Sequence, residues 1–450
     1  MIVGLVFVLF IIHVLLCFRS LAYGCAFMVA VRLLVPPIAR LGSISLNTAI
    51  ILVIVLFVIL RKKYYMKNVL STNILIFPMK KLILPIAILG LFGTVSYITQ
   101  LFSLFQFCVT EILPYMLILI CVKSRKDLNI CITTLVVSYL IIGLYSIFSY
   151  AIRINPLVLV FADAFNYAGE VYAEFSNADR GGLLSRATGN QVAGAIAWGQ
   201  ITIIILSFGM MFPDLNKFLP SWKILNPFIL KNMFVFVAIV NCILTTKRST
   251  IVPLIVLLIF YFVYKMLSNK RGFAIVLLAF ILGVITISNN KTLRNIYYLN
   301  IETSLFFWDD NLASKREISG SNKDMRWKQI VYVNSLIDKH LLTGLGYDYP
   351  IIHSEKYGTS SDALFFESLY LYVIASSGYI GLFVWILFFI RCIGATKDIF
   401  EGKYKNYILH GCYIFSIFLT GISLSFSFYM IILSLMIRYK YISIIQPSRR

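Results

Sequence analysis

Two adjacent cations, Lys247 and Arg248, sit in the tight turn Leu244-Thr-Thr-Lys-Arg-Ser-Thr250 between two long apolar runs. A helix that starts at such a turn presents free backbone N–H groups and the positive end of its dipole, and Ser249 or Thr250 is placed to cap it. Cations beside that terminus make an anion site. The pattern recurs at Arg186-Ala-Thr-Gly-Asn-Gln-Val192, where an arginine and a glycine turn precede another apolar run, and a third such start follows Ser360-Ser361-Asp362. Arginine matches phosphate oxygens with a two-pronged donor fork, so a diphosphate is a natural ligand for Arg186, Lys247, Arg248 and Arg326 together. An arginine at a membrane surface followed by an ordinary helix cap is the plainer reading of the Arg186 segment.

Carboxylates suited to general-base work lie further along. Asp362 and Glu367 share one face if the following helix includes both, and His353 and Glu355 are the titratable groups just upstream. Solvated loop acids and a capping Asp362 are the alternative. Arg326–Leu341 reads as an amphipathic helix with Trp327, Ile330, Val331, Ile337 and Leu341 on one face, suited to lying on a membrane surface, roofing a cleft or packing as a loop helix. The glycine turn Thr343-Gly-Leu-Gly-Tyr347 brings backbone close to something but lacks the lysine and spacing of a nucleotide loop. Within the apolar runs Glu111, three residues before Pro114, is either a functional intramembrane acid or a hydrogen-bonded structural one. Ala375-Ser-Ser-Gly378 and Gly381 read as close helix packing.

These groups are carried by a chain of 450 residues with 60% hydrophobic content and mean hydropathy +0.87, which needs lipid to bury its apolar surface. Apolar runs at 2–18, 21–39, 44–60, 81–99, 107–122, 128–149, 190–212, 231–246, 249–267, 272–289, 364–390, 406–424 and 426–440 predict an all-α polytopic membrane protein. The count is 12–13 transmembrane helices, thirteen favoured, since the last two can form one bent hairpin. The N-terminus has no basic stretch ahead of its first apolar run, so no cleavable signal is expected.

The net charge of +21 is a matter of topology rather than of a polyanionic partner such as nucleic acid. The short polar connections 61–81, 123–128, 213–231, 265–271, 391–405 and 438–450 carry +19 between them, whereas 151–189 carries −1 and 290–363 carries 0. The two classes alternate with the helix count, so the basic connections and the C-terminus are expected in the cytoplasm and the two long loops outside. Arg40 and the N-terminus then fall outside, and Arg32 falls inside a span. Lys247-Arg248 falls outside too, against the charge rule that the other short turns obey. A miscounted helix upstream would also explain it, but would put the neutral loop inside and the basic 265–271 outside.

The expected organisation is N-terminal helices over 1–150, a first external loop at 151–189 and central helices over 190–289. A second external loop follows at 290–363, then C-terminal helices and a short tail over 364–450. All eight cysteines lie in or beside apolar runs, without a disulfide pattern, and the four histidines are scattered, so no metal or other cofactor is expected.

Four motifs in order over roughly 180–440 resemble the O-antigen ligase and Wzy-type polysaccharide polymerase superfamily of bacterial membrane glycosyltransferases. They are Arg186-Ala-Thr-Gly-Asn190; Thr246-Lys-Arg-Ser249; Arg326 with the helix running into His340-Leu-Leu-Thr-Gly-Leu-Gly346; and Ser361-Asp-Ala-Leu-Phe-Phe-Glu-Ser-Leu-Tyr370 followed by Gly378-Tyr-Ile-Gly381. The resemblance implies a GT-C-like fold in the bacterial cytoplasmic membrane. It implies substrates that are oligosaccharides linked through diphosphate to undecaprenol, joined without nucleotide sugar or metal. Arg186, Arg248 and Arg326 would hold the diphosphate leaving group. A flippase and a chain-length regulator are further expected partners. Asp362 stands where ligases of the family usually present histidine, which favours the polymerase branch; Ala363 and Lys247 also depart from the pattern. The expected activity is therefore repeat-unit polymerisation, with Asp362 or Glu367 as base. Transfer of a finished glycan to another acceptor is the nearest rival, and a transporter, for which no internal repeat is evident, the rival of another class.

Overall fold

A computed structural model of the chain describes residues 2–61, 73–167, 186–191, 194–220, 226–268, 270–298, 323–357, 366, 368–400, 403–420 and 425–445. The described residues are helical almost throughout. Helices α1 (Ile2–Arg19), α2 (Leu21–Leu34) and α3 (Leu46–Leu60) are followed by α4 (Asn73–Leu89), α5 (Tyr97–Phe107), α6 (Leu113–Cys121), α7 (Arg125–Ile152) and the short α8 (Pro156–Ala164). The middle of the chain forms α9 (Ala195–Met211), α10 (Pro227–Leu244), α11 (Arg248–Ser268), α12 (Lys270–Asn289) and α13 (Lys291–Tyr297). The last part forms α14 (Lys323–Leu336), α15 (Tyr349–Tyr357), α16 (Leu369–Thr396), α17 (Lys403–Thr420) and α18 (Phe426–Ile445). The described strands are two antiparallel pieces, Arg40–Leu41 and Ile44–Ser45, that turn the chain between α2 and α3.

Twelve of the thirteen expected apolar runs fall on these helices one to one, with the end of α5 and α6 together accounting for 107–122; the run at 81–99 is the exception. Among the described residues five helical stretches are long and apolar enough to cross a membrane by themselves: Ile2–Arg19, Tyr97–Cys121, Arg125–Ile152, Pro227–Leu244 and Leu369–Ile399. The fold is that of an all-α polytopic membrane protein. Burial orders the bundle. Almost every side chain of α9 and of the first half of α18 is buried, including Trp198, Phe208, Phe426 and Tyr429, so these helices form its centre. The outer helices keep apolar side chains exposed, such as Phe7, Leu15 and Phe18 of α1, as a lipid-facing surface requires.

Local sequence explains the helix ends. Ser124 and Asp127 form a reciprocal capping box at α7, and proline opens α8 and α10 where its missing N–H has no cost. Between α5 and α6 the helix widens into a π-turn over Cys108–Ile112. Pro114 has no N–H to offer Thr110 four residues back, and the Arg32 guanidinium donates to that carbonyl instead. Glu111, on the same turn, accepts the amide of Ser427 at 2.7 Å and so caps the start of α18. Of the two roles open to Glu111, the hydrogen-bonded structural one is what the geometry displays.

Three expected boundaries shift. The run at 81–99 is not one helix: α4 ends at Leu89, a tight turn covers Gly90–Phe92, and Thr94 leaves the bundle to bond elsewhere. The helix expected over 326–341 spans Lys323–Leu336, and its apolar residues divide between two directions. Val333 and Ile337 are buried, whereas Trp327 is 66% exposed and Val331 52%. The span expected from 364 begins at Leu369, where Ser368 accepts the amide of Leu371 as the cap.

Candidate functional site

The segment Arg186–Gln191 carries Arg186 at one end and is fastened along the rest. Asn155, fully buried at the start of α8, uses its whole carboxamide. Its Oδ1 accepts from the Tyr145 hydroxyl at 2.8 Å and from the Val158 amide at 3.2 Å. Its Nδ2 donates to Thr188 Oγ1 at 2.8 Å and to the Gly189 carbonyl at 2.9 Å. The amide of Gly189 donates in turn to Ser146 Oγ on α7. Asn190 donates to the carbonyls of Arg32 and Val35, at 3.0 and 2.9 Å, where α2 ends. Gly189 has φ +57°, and a Cβ there would lie 2.4 Å from the ring of Trp198, so the turn and the close approach both require glycine.

Trp198 links this segment to the cationic turn. Its indole N–H donates to Asn241 Oδ1 at 3.0 Å, and Asn241 itself donates to the carbonyls of Gly143 and Val237. One helical turn beyond Asn241, α10 ends and the Leu244–Thr250 turn begins. There the two segments meet directly. The amide of Ala187 donates to the Leu244 carbonyl at 2.9 Å, and Arg186 Nε donates to Thr246 Oγ1 at 3.0 Å. Thr246 adopts φ +54°, a left-handed conformation uncommon for a β-branched residue, held by the surrounding bonds. The first helical residue of α11 is Arg248, and the Lys247 carbonyl accepts the amides of Thr250 and Ile251. Ser249 and Thr250 are therefore residues of the first turn, both fully buried, and not the caps expected of them. Arg186, Lys247 and Arg248 are half-buried.

A second assembly joins the two glycine motifs of the C-terminal half. Helix α16 is interrupted at Gly378, with φ 64° and ψ −167°. In an unbroken helix the amides of Tyr379 and Ile380 would donate to the carbonyls of Ala375 and Ser376. Instead those carbonyls accept the amides of Leu345 and Gly346, at 2.9 and 3.0 Å, while Tyr379 and Ile380 donate to Leu341 and Leu342, at 3.0 and 3.2 Å. The Thr343–Tyr347 loop is spliced into the helix, and the carbonyls of Ala375 and Ser376 and the amides of Tyr379 and Ile380 are all paired again. In a membrane protein each unpaired group at such a break costs several kcal/mol, on the order of 2 or more. The far side of the loop is held by α5 and its approach. Thr94 and Val95 donate to the Leu345 carbonyl, fully buried Gln100 accepts the amide of Tyr347 at 2.9 Å, and Ser103 donates to Asp348 at 2.6 Å. The glycine turn thus meets helix backbone rather than a ligand, and Ala375–Gly378, read as packing, is its partner.

His353 on α15 lies among Tyr332, Tyr349 and Phe366, with the Tyr332 hydroxyl 3.1 Å from Nε2. Burial, helped by the Lys356 ammonium, lowers its pKa below the usual imidazole value. It is a packed histidine of the loop. Arg326 lies in α14, with its side chain outside the described residues; Asp362 and Glu367 lie outside the described residues altogether. The structure accordingly brings Arg186 to the turn that carries Lys247 and Arg248, through Thr246 and Leu244. Sequence reasoning missed Asn155, Tyr145, Gln100 and Asp348. Asn155-Pro156 was legible as a helix start, but nothing local says that the same amide grips residues 188 and 189.

The bundle, with a half-buried cationic turn where the segments 186–191 and 244–250 meet, is that of a multi-pass membrane protein. Residues 233–386, from α10 through most of α16, match the family model for O-antigen ligase. No curated protein matches the chain. The matched region contains Lys247, Arg248, Arg326, Asp362 and Glu367, and it supports the O-antigen ligase and Wzy-type superfamily that the four motifs resemble. The match, over about a third of the chain, supports a membrane enzyme that processes O-antigen-type glycans, a description that polymerases and ligases share.

Proposed function

We propose that the protein polymerises undecaprenyl-diphosphate-linked oligosaccharide repeat units into a surface polysaccharide on the outer leaflet of a bacterial cytoplasmic membrane. The observation that carries this reading is the Arg186–Thr246 hydrogen bond, which joins two cationic segments distant in sequence at the start of one helix. Fixed guanidinium groups and a helix N-terminus stabilise charge where it develops, and they do so without reorganising during the reaction.

In the proposed reaction a sugar hydroxyl of one lipid-linked chain attacks the anomeric carbon of another. A new glycosidic C–O bond forms as the bond from that carbon to the diphosphate oxygen breaks. The electron pair leaves with the lipid diphosphate, whose charge Arg186, Lys247, Arg248 and Arg326 neutralise. The hydroxyl proton passes to Asp362 or Glu367 as general base. The lipid bilayer, a flippase delivering the substrate and a chain-length regulator are the partners this reading entails.

Transfer of a finished glycan to a different acceptor uses the same leaving group, and the family description of residues 233–386 favours keeping it as the second reading. Purified protein incubated with a defined lipid-linked repeat unit separates the two. A ladder of lengths on the same lipid supports the polymerase. One transfer, seen only when a second acceptor is supplied, supports the ligase, and no turnover of the diphosphate linkage under either condition sinks both.

A further inference from the structure

Helix α14 has three differently treated sides. Gln329, Val333 and Ile337 form one, buried against the first part of α16 through Leu371, Ile374 and Ala375. Lys328 and Ser335 form a second, polar and exposed. On a third, Trp327 and Val331 stand one turn apart and are 66% and 52% exposed. At about 100° per residue this apolar flank lies between the other two, which is where a helix resting on a membrane and packed sideways against a spanning helix places its lipid contact.

What covers the flank follows from α16. Before the break at Gly378 its residues are mostly buried by protein. Immediately after it Tyr379, Ile380 and Phe383 are 42, 41 and 60% exposed, and the exposed apolar stripe continues through Leu387 to Ile390. That stripe belongs to a helix that crosses the bilayer, so lipid contact on α16 begins at Tyr379. Two bonds tie the α14 region to that level. The Tyr379 hydroxyl donates to Asn334 Oδ1 at 2.8 Å, on the same side of α14 as Trp327 and Val331. The Ile380 amide donates to Leu342, whose side chain is 63% exposed. The apolar flank of α14 therefore continues the lipid-facing stripe of α16 at its upper edge.

We propose that α14 is a membrane-surface helix, with Trp327 and Val331 inserted among the acyl chains next to the headgroups and Lys328 turned toward lipid phosphates and water. Tryptophan and lysine are the residue types that favour this depth. The proposal stands apart from the reaction proposed above. Its consequence for that reaction is positional: the backbone of Arg326, one residue before Trp327, lies at headgroup depth, the level of a lipid-linked diphosphate.

The test uses the full chain in lipid nanodiscs. Trp327 is one of five tryptophans, so its emission is the part lost in Trp327→Phe. In nanodiscs whose lipids are brominated near the headgroup end of the acyl chain, that component is expected to lose about half its intensity, since such helices insert only about 5–10 Å. Aqueous iodide is expected to have little effect on it. Strong quenching by iodide with none by brominated lipid would overturn the proposal in favour of a water-facing helix. Insensitivity to both would overturn it in favour of a protein covering, such as a second copy of the chain. A bimane label on Val331→Cys reads the same flank with the same quenchers if Trp327→Phe does not accumulate.

Discussion

The carboxamide of Asn155 donates to the carbonyl of Gly189 at 2.9 Å, so the residue that starts α8 also fixes the segment that carries Arg186. All the hydrogen-bonding capacity of that buried amide is used. Its replacement by an isosteric carboxylate would turn two donors into acceptors facing a carbonyl and a hydroxyl.

Asn155→Asp should therefore lower glycan transfer by about tenfold or more, the range expected when a buried group loses its partners. The loss should depend on Arg186. In an Arg186→Ala background the same change should add only about twofold or less, whereas general damage to the fold would multiply independently. Initial rates of the four proteins, compared at equal membrane abundance, decide between these.

Arg248→Ala should abolish polymer while the protein stays in the membrane at normal abundance, with a rate loss of at least about a hundredfold. Arg248→Lys keeps the charge but loses the fork, and should fall between the two. Polymer of unchanged length and yield in Arg248→Ala would end the anion-site model.

The spliced helix makes a sharper claim about stability. A Cβ on Gly378 would lie 2.3 Å from the Leu342 carbonyl carbon, and one on Gly344 would lie 2.4 Å from the Ser377 amide nitrogen, both at positive φ. Gly378→Ala and Gly344→Ala should each cost about 3 kcal/mol or more, from overlap and backbone strain together. Gly283→Ala, in α12 with nothing within 4 Å of the new methyl, should be neutral or stabilising by up to about 1 kcal/mol. Thermal unfolding of the three purified variants in one detergent provides the comparison.

The loop around His353 should loosen in acid. A histidine whose pKa is lowered on folding binds its proton more readily in the opened chain. Its contribution is present above the ordinary value of 6.5 and is lost as pH falls from there toward the lowered value. Limited proteolysis within 327–357 should accelerate between about pH 7 and pH 5, and much less in His353→Gln. Equal acceleration in both proteins would assign the effect to other groups.

The helices were legible because each carries its own signal, an apolar run long enough to need lipid and a cap or proline at its end. The exception at 81–99 shows the limit of that signal: hydropathy continues past Leu89, but Gly90, Gly93 and a partner 251 residues away at Leu345 end the helix. The cations at 186 and 247–248 were legible as a pair of similar motifs, since both place charge ahead of an apolar run. Their direct contact through Thr246 was not, because it depends on how α10 packs against both α7 and α9. The amphipathic reading of 326–341 found the right helix and the wrong face. Periodicity groups Trp327 with Ile337 as apolar and does not distinguish burial in protein from contact with lipid. Glu111 could be singled out from sequence, but its partner, the Ser427 amide, lies 316 residues away.

The junction at Gly378 also bears on which letters of this chain can change over evolutionary time. Its four bonds run from peptide to peptide, so the side chains of Leu341, Leu342, Leu345, Ala375 and Ser376 are not written into it. Relatives could drift at the exposed positions 341 and 342 and keep the same splice, whereas 345, 375 and 376 are limited by the space around them. The glycines at 344, 346 and 378 carry the backbone constraint, and a saturation scan would find them intolerant beside a permissive 341 and 342.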